Sequence, residues 1–267
     1  MRAIRRFLKS QLRQRGAAVS PTTDPEKLRA FFRMIRPQQT GRGLIRMGGE
    51  GDGGYLVPDD FDGVKTCFSP GVSLVADFEL ECAKRGVSSF LADASVESAP
   101  VSHPMFHFDK KFLGSQTHGD VMTLGNWVDA KRPDESDMIL QMDIEGAEYD
   151  VLYQSSEALL NRFRIVIIEF HNLDELTNAF AFEFLRLTFE KLTKNFVVAH
   201  IHPNNSQHPV QFGEFVIPPV IEATFLRKDR LISQSARNDF PHPLDRANVG
   251  KRPDLALPAC WYADSQG

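Results

Sequence analysis

The chain has 267 residues, 42% of them hydrophobic and 25% charged, with a formal net charge of −4. That length buries a substantial core without staples and is more than one small domain needs but less than two full ones. The slight acidic balance lacks the basic excess or stripe of a nucleic-acid binder, so no nucleic-acid partner is expected.

Residues 1–15 carry six basic side chains and no acidic one, and Ile4, Phe7, Leu8 and Leu12 fall at helical spacing. Residues 1–40 therefore read as a basic, helical N-terminal extension. It lacks the continuous apolar core of a signal peptide, and no run reaches the ~20 apolar residues of a transmembrane helix. A solvated or loosely docked helix is the plainest reading; a peripheral membrane or partner contact comes second and a cleaved targeting peptide third.

The catalytic domain is expected at 41–232. Arg46 to Tyr55 holds five glycines, which suit either an anion cradle of backbone amides or β-turns joining two short strands. The Gly-Lys-Ser/Thr ending of a phosphate-binding loop is missing. From Lys65 onward, short apolar runs alternate with amphipathic ones. Val64–Ser69 predicts a strand, Ala76–Arg85 a helix, Val87–Ala92 a strand, Met105–Phe108 a strand and Thr123–Ala130 a short helix. Asp137–Asp143 predicts a strand followed by a helix over Ala147–Arg162, and Arg164–Phe170 is the clearest buried strand. Glu175–Asn195 predicts a long helix and Phe196–Ile201 the next strand. Glu214–Ile217 and Val220–Leu226 surround Pro218-Pro219, which predicts a hairpin or a bulged or edge strand. Residues 233–267 read as an irregular tail wrapped on the domain. The alternation predicts an α/β fold, a mostly parallel doubly wound sheet with helices on both faces and an antiparallel strand at the end. Cys67, Cys82 and Cys260 form neither a disulfide framework nor a zinc pattern, so a reducing compartment, the cytoplasm, is expected.

Ligands of such sheets sit beyond the carboxyl ends of the strands, near the point where strand order reverses. The first strand ends in Ser69-Pro70-Gly71, and Gly71 allows a tight turn and close backbone approach. Asp93 ends the second strand about 20 residues later, where a carboxylate takes ribose hydroxyls; an Asx-turn is the competing reading. Ser69, Gly71, Asp93 and Asp143 are thus the candidate cofactor-binding residues. Asp143 and Glu145 follow a hydrophobic strand, and two carboxylates at one strand exit repel unless a cation or donor compensates. Glu148 reads as a first-turn residue facing the helix dipole. Glu169 and His171 share a side by period-2 alternation, as do His200 and His202 on the next strand. Asp143, Glu145, Glu169, His171 and His202 are expected to converge on one crevice, where carboxylates and imidazoles suit a divalent metal or general-base chemistry.

Met142-Asp-Ile-Glu-Gly-Ala-Glu-Tyr-Asp-Val-Leu152, followed by Ile165-Val-Ile-Ile-Glu-Phe-His171, resembles the signature of the FkbM-type S-adenosylmethionine-dependent methyltransferases. Gly48–Tyr55, His200–Asn205, Pro219–Arg227 and Leu244–Asn248 resemble a bacterial subgroup of that family, and the resemblance spans roughly Arg42 to Pro258. It implies a Rossmann-like class I methyltransferase sheet of seven strands, six parallel and one antiparallel. It further implies methyl transfer from S-adenosylmethionine to a hydroxyl of a sugar, glycan or small natural product. By that analogy Gly71 lies under the methionine portion of the cofactor and Asp93 takes its ribose. A divalent metal, magnesium or manganese, would be held by Asp143, Glu169 and His171, with Glu145 or His202 as the base. The sequence departs from the wider superfamily at Ser69-Pro-Gly-Val-Ser73, which lacks a glycine-rich loop. A non-catalytic binding protein of the same fold and a nicotinamide-dependent sugar oxidoreductase are the alternatives, the second disfavoured by the missing G-x-G-x-x-G.

Overall fold

The computed structural model describes residues 20–132 and 137–263, together with 11 and 14. The helix expected over residues 1–15 falls, but for those two positions, outside the described residues.

Seven strands build the central sheet: β1 (Thr66–Pro70), β2 (Ser88–Ala92), β3 (Phe106–Asp109), β4 (Met138–Met142), β5 (Phe163–Phe170), β6 (Phe196–Pro203) and β7 (Ile221–Arg227). Their order is β6-β7-β5-β4-β1-β2-β3. The chain lays β1, β2 and β3 outward in parallel, then returns to β4 on the other side of β1. That return makes the β1–β4 boundary the point where strand order reverses. β7 runs antiparallel to both β5 and β6. Six parallel strands and one antiparallel one give the Rossmann-like class I methyltransferase arrangement that the sequence led us to expect.

Period-2 alternation divides the sheet's apolar side chains between two cores. Val166, Ile168 and Phe170 of β5 join Leu140 of β4, Phe68 of β1 and Phe225 of β7 on one face. Helices cover that face, among them α1 (Pro25–Met34), α3 (Leu124–Lys131), α4 (Glu148–Gln154) and α5 (Ala179–Asn195), with Phe31, Trp127, Leu152 and Phe189 in the same core. Ile165 and Ile167 of β5 turn the other way, with Ile139 and Cys67, against α2 (Asp77–Lys84) and a hairpin of Leu44–Met47 and Tyr55–Pro58. The hairpin covers the sheet's second face beside α2, and Thr224 of β7 donates to its Leu56 carbonyl at 2.7 Å.

Local chemistry sets the helix ends. Asp24 caps α1 with Pro25 at its first position, Thr123 caps α3 and Asn178 caps α5. The helix expected over Ala147–Arg162 is two pieces, because Ser155 turns extended and Ser156 caps a second short helix, Glu157–Leu160. The expected Glu175–Asn195 helix likewise begins as a 3-10 turn, Leu173–Thr177, before α5. The expectation of a hairpin or a bulged or edge strand around Pro218-Pro219 is corrected for its second half, while the ladder between β6 and β7 does carry a bulge at Val198–His200. The strand after Pro218-Pro219 is neither an edge nor half of a hairpin: Ile221–Arg227 is laddered on both sides. The two prolines lie before its first laddered residue, so no ladder donor is lost, and β6 takes the edge. Phe215–Ile217 instead pairs with Val210–Phe212 in a separate small hairpin. Beyond Ser233 the chain is largely irregular, but Trp261 is fully buried in the main core beside Phe32.

Candidate active site

The carboxyl ends of β1, β2 and β4 open onto a cavity of about 510 Å³, a size typical of small-molecule sites. Gly71 forms its floor with φ +89°, and a Cβ there would come within 1.5 Å of the Asp143 carbonyl oxygen. Glycine is therefore required by the approach of two strand exits. The Gly71 amide donates to Ala92 and the Asp143 amide to Pro70, which lock β1, β2 and β4 at this level.

Asp93 closes the end of β2 and lines the cavity. Its Oδ2 accepts from the Ser73 amide at 3.0 Å, and its Oδ1 accepts from the amide and hydroxyl of Ser95 at 2.7 and 2.6 Å. The Asx-turn is thus present, and it leaves lone pairs on a fixed carboxylate facing the cavity. Ser69 does not line the cavity. Its hydroxyl bonds to Glu79 and, at 2.6 Å, to Gln141, whose amide donates to the Tyr55 hydroxyl at 3.1 Å. Burial pushes Glu79 up to about 7, against the pull of the Ser69 hydroxyl. Glu79, Gln141 and Tyr55 do line the cavity, so Ser69 acts on the site through them.

The lining as a whole has one sign. Asp52, Asp77, Glu79, Asp93, Asp143 and Glu145 contribute, and among the described residues no lysine, arginine or histidine does. Such a cavity favours a cationic ligand over an anionic one. The glycine-rich turn takes the β-turn form of the two that the sequence offered. Its Gly49 and Gly51 carbonyls bend inward to accept from the Arg46 guanidinium at 2.7 and 3.0 Å, and the segment joins two short strands.

At the cavity's β4–β5 side, Asp143, Glu145, Glu169 and His171 come together. His171 Nε2 lies 3.9 Å from Asp143, 3.5 Å from Glu145 and 3.7 Å from Glu169. The ring is held from behind by Glu148, which the sequence reading had assigned to the helix dipole. Glu148 is fully buried and accepts from His171 Nδ1 at 3.1 Å, from the Ile144 amide at 3.2 Å and from the Gly146 amide at 3.1 Å. Tyr149 adds a 2.6 Å bond to the His171 carbonyl. Glu145 and Gly146 both take positive φ, 55° and 102°, so the turn doubles back and carries the 85% exposed Glu145 side chain over the imidazole. Burial, partly offset by His171 and reinforced by the charges of Glu145 and Glu148, lifts Asp143 to about 7. Burial works to lower His171, but Glu148, Asp143 and Glu145 outweigh it and the imidazole rises above its ordinary value. Burial pushes Glu169 well up, reinforced by Asp143 and Glu222.

As a metal set, the structure regroups the expected residues. Asp143, Glu145 and His171 each place a donor atom within 4.8 Å of the others, whereas Glu169 groups with Asp52 and Glu222. Asp143 Oδ1 is buried without a hydrogen-bond partner, which suits a cation-binding role for the first group.

His202 does not join the crevice. Its Nδ1 meets Glu222 at 3.2 Å and its Nε2 meets Asp254 at 3.0 Å. Burial opposes its charge, but those two hydrogen bonds raise it to about 10. A cationic ring donating at both nitrogens has no lone pair for a proton, so the geometry argues against His202 as the base. His200 pairs with Asp245 at 2.7 Å.

Residues 80–196 match the family model described as the methyltransferase FkbM domain. That stretch contains Asp93, Asp143, Glu145, Glu148, Glu169 and His171. Among curated proteins none matches the chain. Among solved structures, a TehB-like S-adenosylmethionine-dependent methyltransferase from Corynebacterium glutamicum is 10% identical with a TM-score of 0.30, covering 85% of this chain and 97% of that one. A human methyltransferase 10 domain containing protein is 12% identical with a TM-score of 0.32, covering 85% and 95%. Both likenesses are distant, and the fold assignment stands on the strand order. Over residues 80–196 the chain is thus similar to the methyltransferase FkbM domain.

Proposed function

We propose that this chain transfers the methyl group of S-adenosylmethionine to a hydroxyl of a sugar, glycan or small natural product. The observation that carries the reading is the cavity at the strand-order reversal, lined by six carboxylates and, among the described residues, no basic side chain. S-adenosylmethionine carries a sulfonium and an ammonium, so this lining is complementary to it. A nicotinamide dinucleotide carries a pyrophosphate, which the same lining repels.

Bound there, S-adenosylmethionine supplies an electrophilic methyl. The protein's part is to position and deprotonate. Gly71 and the Ser73 turn shape the floor, and Asp93 holds hydroxyls against the end of β2. Ser69 fixes Glu79 and Gln141. On the acceptor side Glu145, exposed above the His171 ring, receives the hydroxyl proton. Glu148 holds His171 at Nδ1, so that Nε2 faces Asp143, Glu145 and Glu169. The donor set of Asp143, Glu145 and His171 fits a divalent magnesium or manganese, with Glu169 beside it; such an ion would polarise an acceptor oxygen.

Glu145→Gln tests the assignment. Turnover of labelled S-adenosylmethionine on a panel of glycans and polyols should fall by about 10²- to 10⁴-fold, while calorimetric affinity for the cofactor stays within about threefold. Full activity in this variant removes Glu145 from the mechanism. Activity that survives prolonged chelation removes the metal.

A further inference from the structure

Beside this crevice lies a second group of carboxylates, to which the methyl-transfer reading assigns no joint role. Asp52 comes from the glycine-rich turn, Glu169 from the end of β5 and Glu222 from the start of β7. Glu169 and Glu222 sit directly opposite each other in the antiparallel ladder, a placement that is destabilising for like charges. One oxygen from each of the three carboxylates lies within 4.8 Å of the others. Oxygens bound to one calcium-sized ion at about 2.3–2.6 Å can be at most about 5 Å apart, so the spacing fits a shared cation.

Two further observations point to a ligand. The Glu169 side chain is 5% exposed; its Oε1 accepts from Asn204 at 2.8 Å, but its Oε2 is buried with no hydrogen-bond partner. Asn248, from the C-terminal tail, donates its amide to Glu222 and, at 3.4 Å, to Asp52, while its own Oδ1 is buried and unpartnered. A half-turn of that amide puts the oxygen where the NH₂ group now donates, adding a fourth oxygen. The neighbouring cations meet this group only in part: His202 takes one oxygen of Glu222 and His171 Nε2 lies 3.7 Å from Glu169 Oε1, which leaves Asp52 and Glu169 Oε2 without a cation among the described residues. His202 serves Glu222 and Asp254, His171 is held by Glu148, and Arg46 is bound to the Gly49 and Gly51 carbonyls.

We propose that Asp52, Glu169, Glu222 and the Asn248 amide oxygen form a binding site for a hard divalent cation, calcium, magnesium or manganese, separate from the Asp143–Glu145–His171 group. An all-oxygen donor set selects such ions over zinc, which prefers nitrogen and sulfur. The ion ties the hairpin turn, the β5–β7 ladder and the tail together, and because Asp52 also lines the cavity, it is reached from there.

Manganese binding to the full chain, followed by electron paramagnetic resonance without S-adenosylmethionine, tests this apart from any methyl-transfer activity. Asp52→Asn is the primary variant, since Asp52 is exposed in a turn and its loss leaves the core intact. The expected result is a bound manganese in the wild type whose affinity drops at least about tenfold in Asp52→Asn and in Glu222→Gln, and is retained in Asp143→Asn. The proposal is overturned if neither manganese nor calcium binds the wild type, if Asp52→Asn binds unchanged, or if Asp143→Asn alone abolishes binding.

Discussion

Glu148 is the residue on which the candidate acceptor side turns. Buried at the first position of α4, it joins the Ile144 and Gly146 amides to the His171 ring, so one carboxylate fixes both the turn and the imidazole. Glu148→Gln keeps the shape but exchanges a charged acceptor for an amide, and the ring loses its charge-assisted hold. Activity should fall by about tenfold or more, with the acid limb of the pH–rate profile displaced downward as His171 loses the charge that raises it; an unchanged profile would make Glu148 purely structural. Glu79 offers a stability test. Its folded value of about 7 lies above the ordinary 4.5, so the folded state holds the proton more tightly than the unfolded one. Stability is then full below 4.5, declines as pH rises from 4.5 to about 7, and is flat above. Glu79→Gln removes that slope. Its advantage over the wild type should grow across the same window to at most about 3 kcal/mol, read from urea midpoints at several pH values.

Strand exits were legible because apolar runs end in polar residues. Asp93, Asp143, Glu145, Glu169 and His171 all lie at such exits and all reached the cavity or its rim. The first-turn place of Glu148 was legible, but its hold on His171 was not, because only the doubled-back turn at Glu145 and Gly146 turns it inward. Asp52 and Glu222 escaped notice because nothing local marks them: they are brought beside Glu169 by the hairpin's fold over the sheet and by antiparallel pairing. The reading of β7 as an edge gave too much weight to Pro218-Pro219, which end before the ladder begins. At this scale the sharpest prediction concerns the β1–β4 crossing. Gly71→Ala places a methyl group 1.5 Å from the Asp143 carbonyl at a φ of +89°. A loss of roughly 3 kcal/mol or more is expected in denaturant unfolding, together with weakened cofactor binding as the two exits move apart; wild-type stability would contradict the packing described.

Across the whole molecule the mostly parallel sheet with one antiparallel strand and helices on both faces was legible, but the order of its strands and the hairpin on its second face were not. Alternation of strands and helices predicts helices on both faces, yet a hairpin shares the second face with α2. The C-terminal segment also has a larger role than its polar composition suggests. Trp261 is fully buried, packs at a tilt against Phe32 with ring centroids 4.7 Å apart and donates to the Val216 carbonyl at 3.0 Å. Trp261→Ala should cost about 3–5 kcal/mol, measurable as a lower urea midpoint. His202 and Asp254 tie the same segment to β6, which makes His202 a strut between the sheet and the tail.

The central claim is that the acidic cavity over β1, β2 and β4 binds a sulfonium nucleoside. Calorimetry of the full chain with S-adenosylmethionine, S-adenosylhomocysteine and NAD tests it most directly. The account predicts one site for each of the first two, weakened at least about tenfold by Asp93→Asn, whose ribose-facing carboxylate is then lost, and no binding of NAD. Absence of S-adenosylmethionine binding, or tight NAD binding in the same cavity, would contradict it.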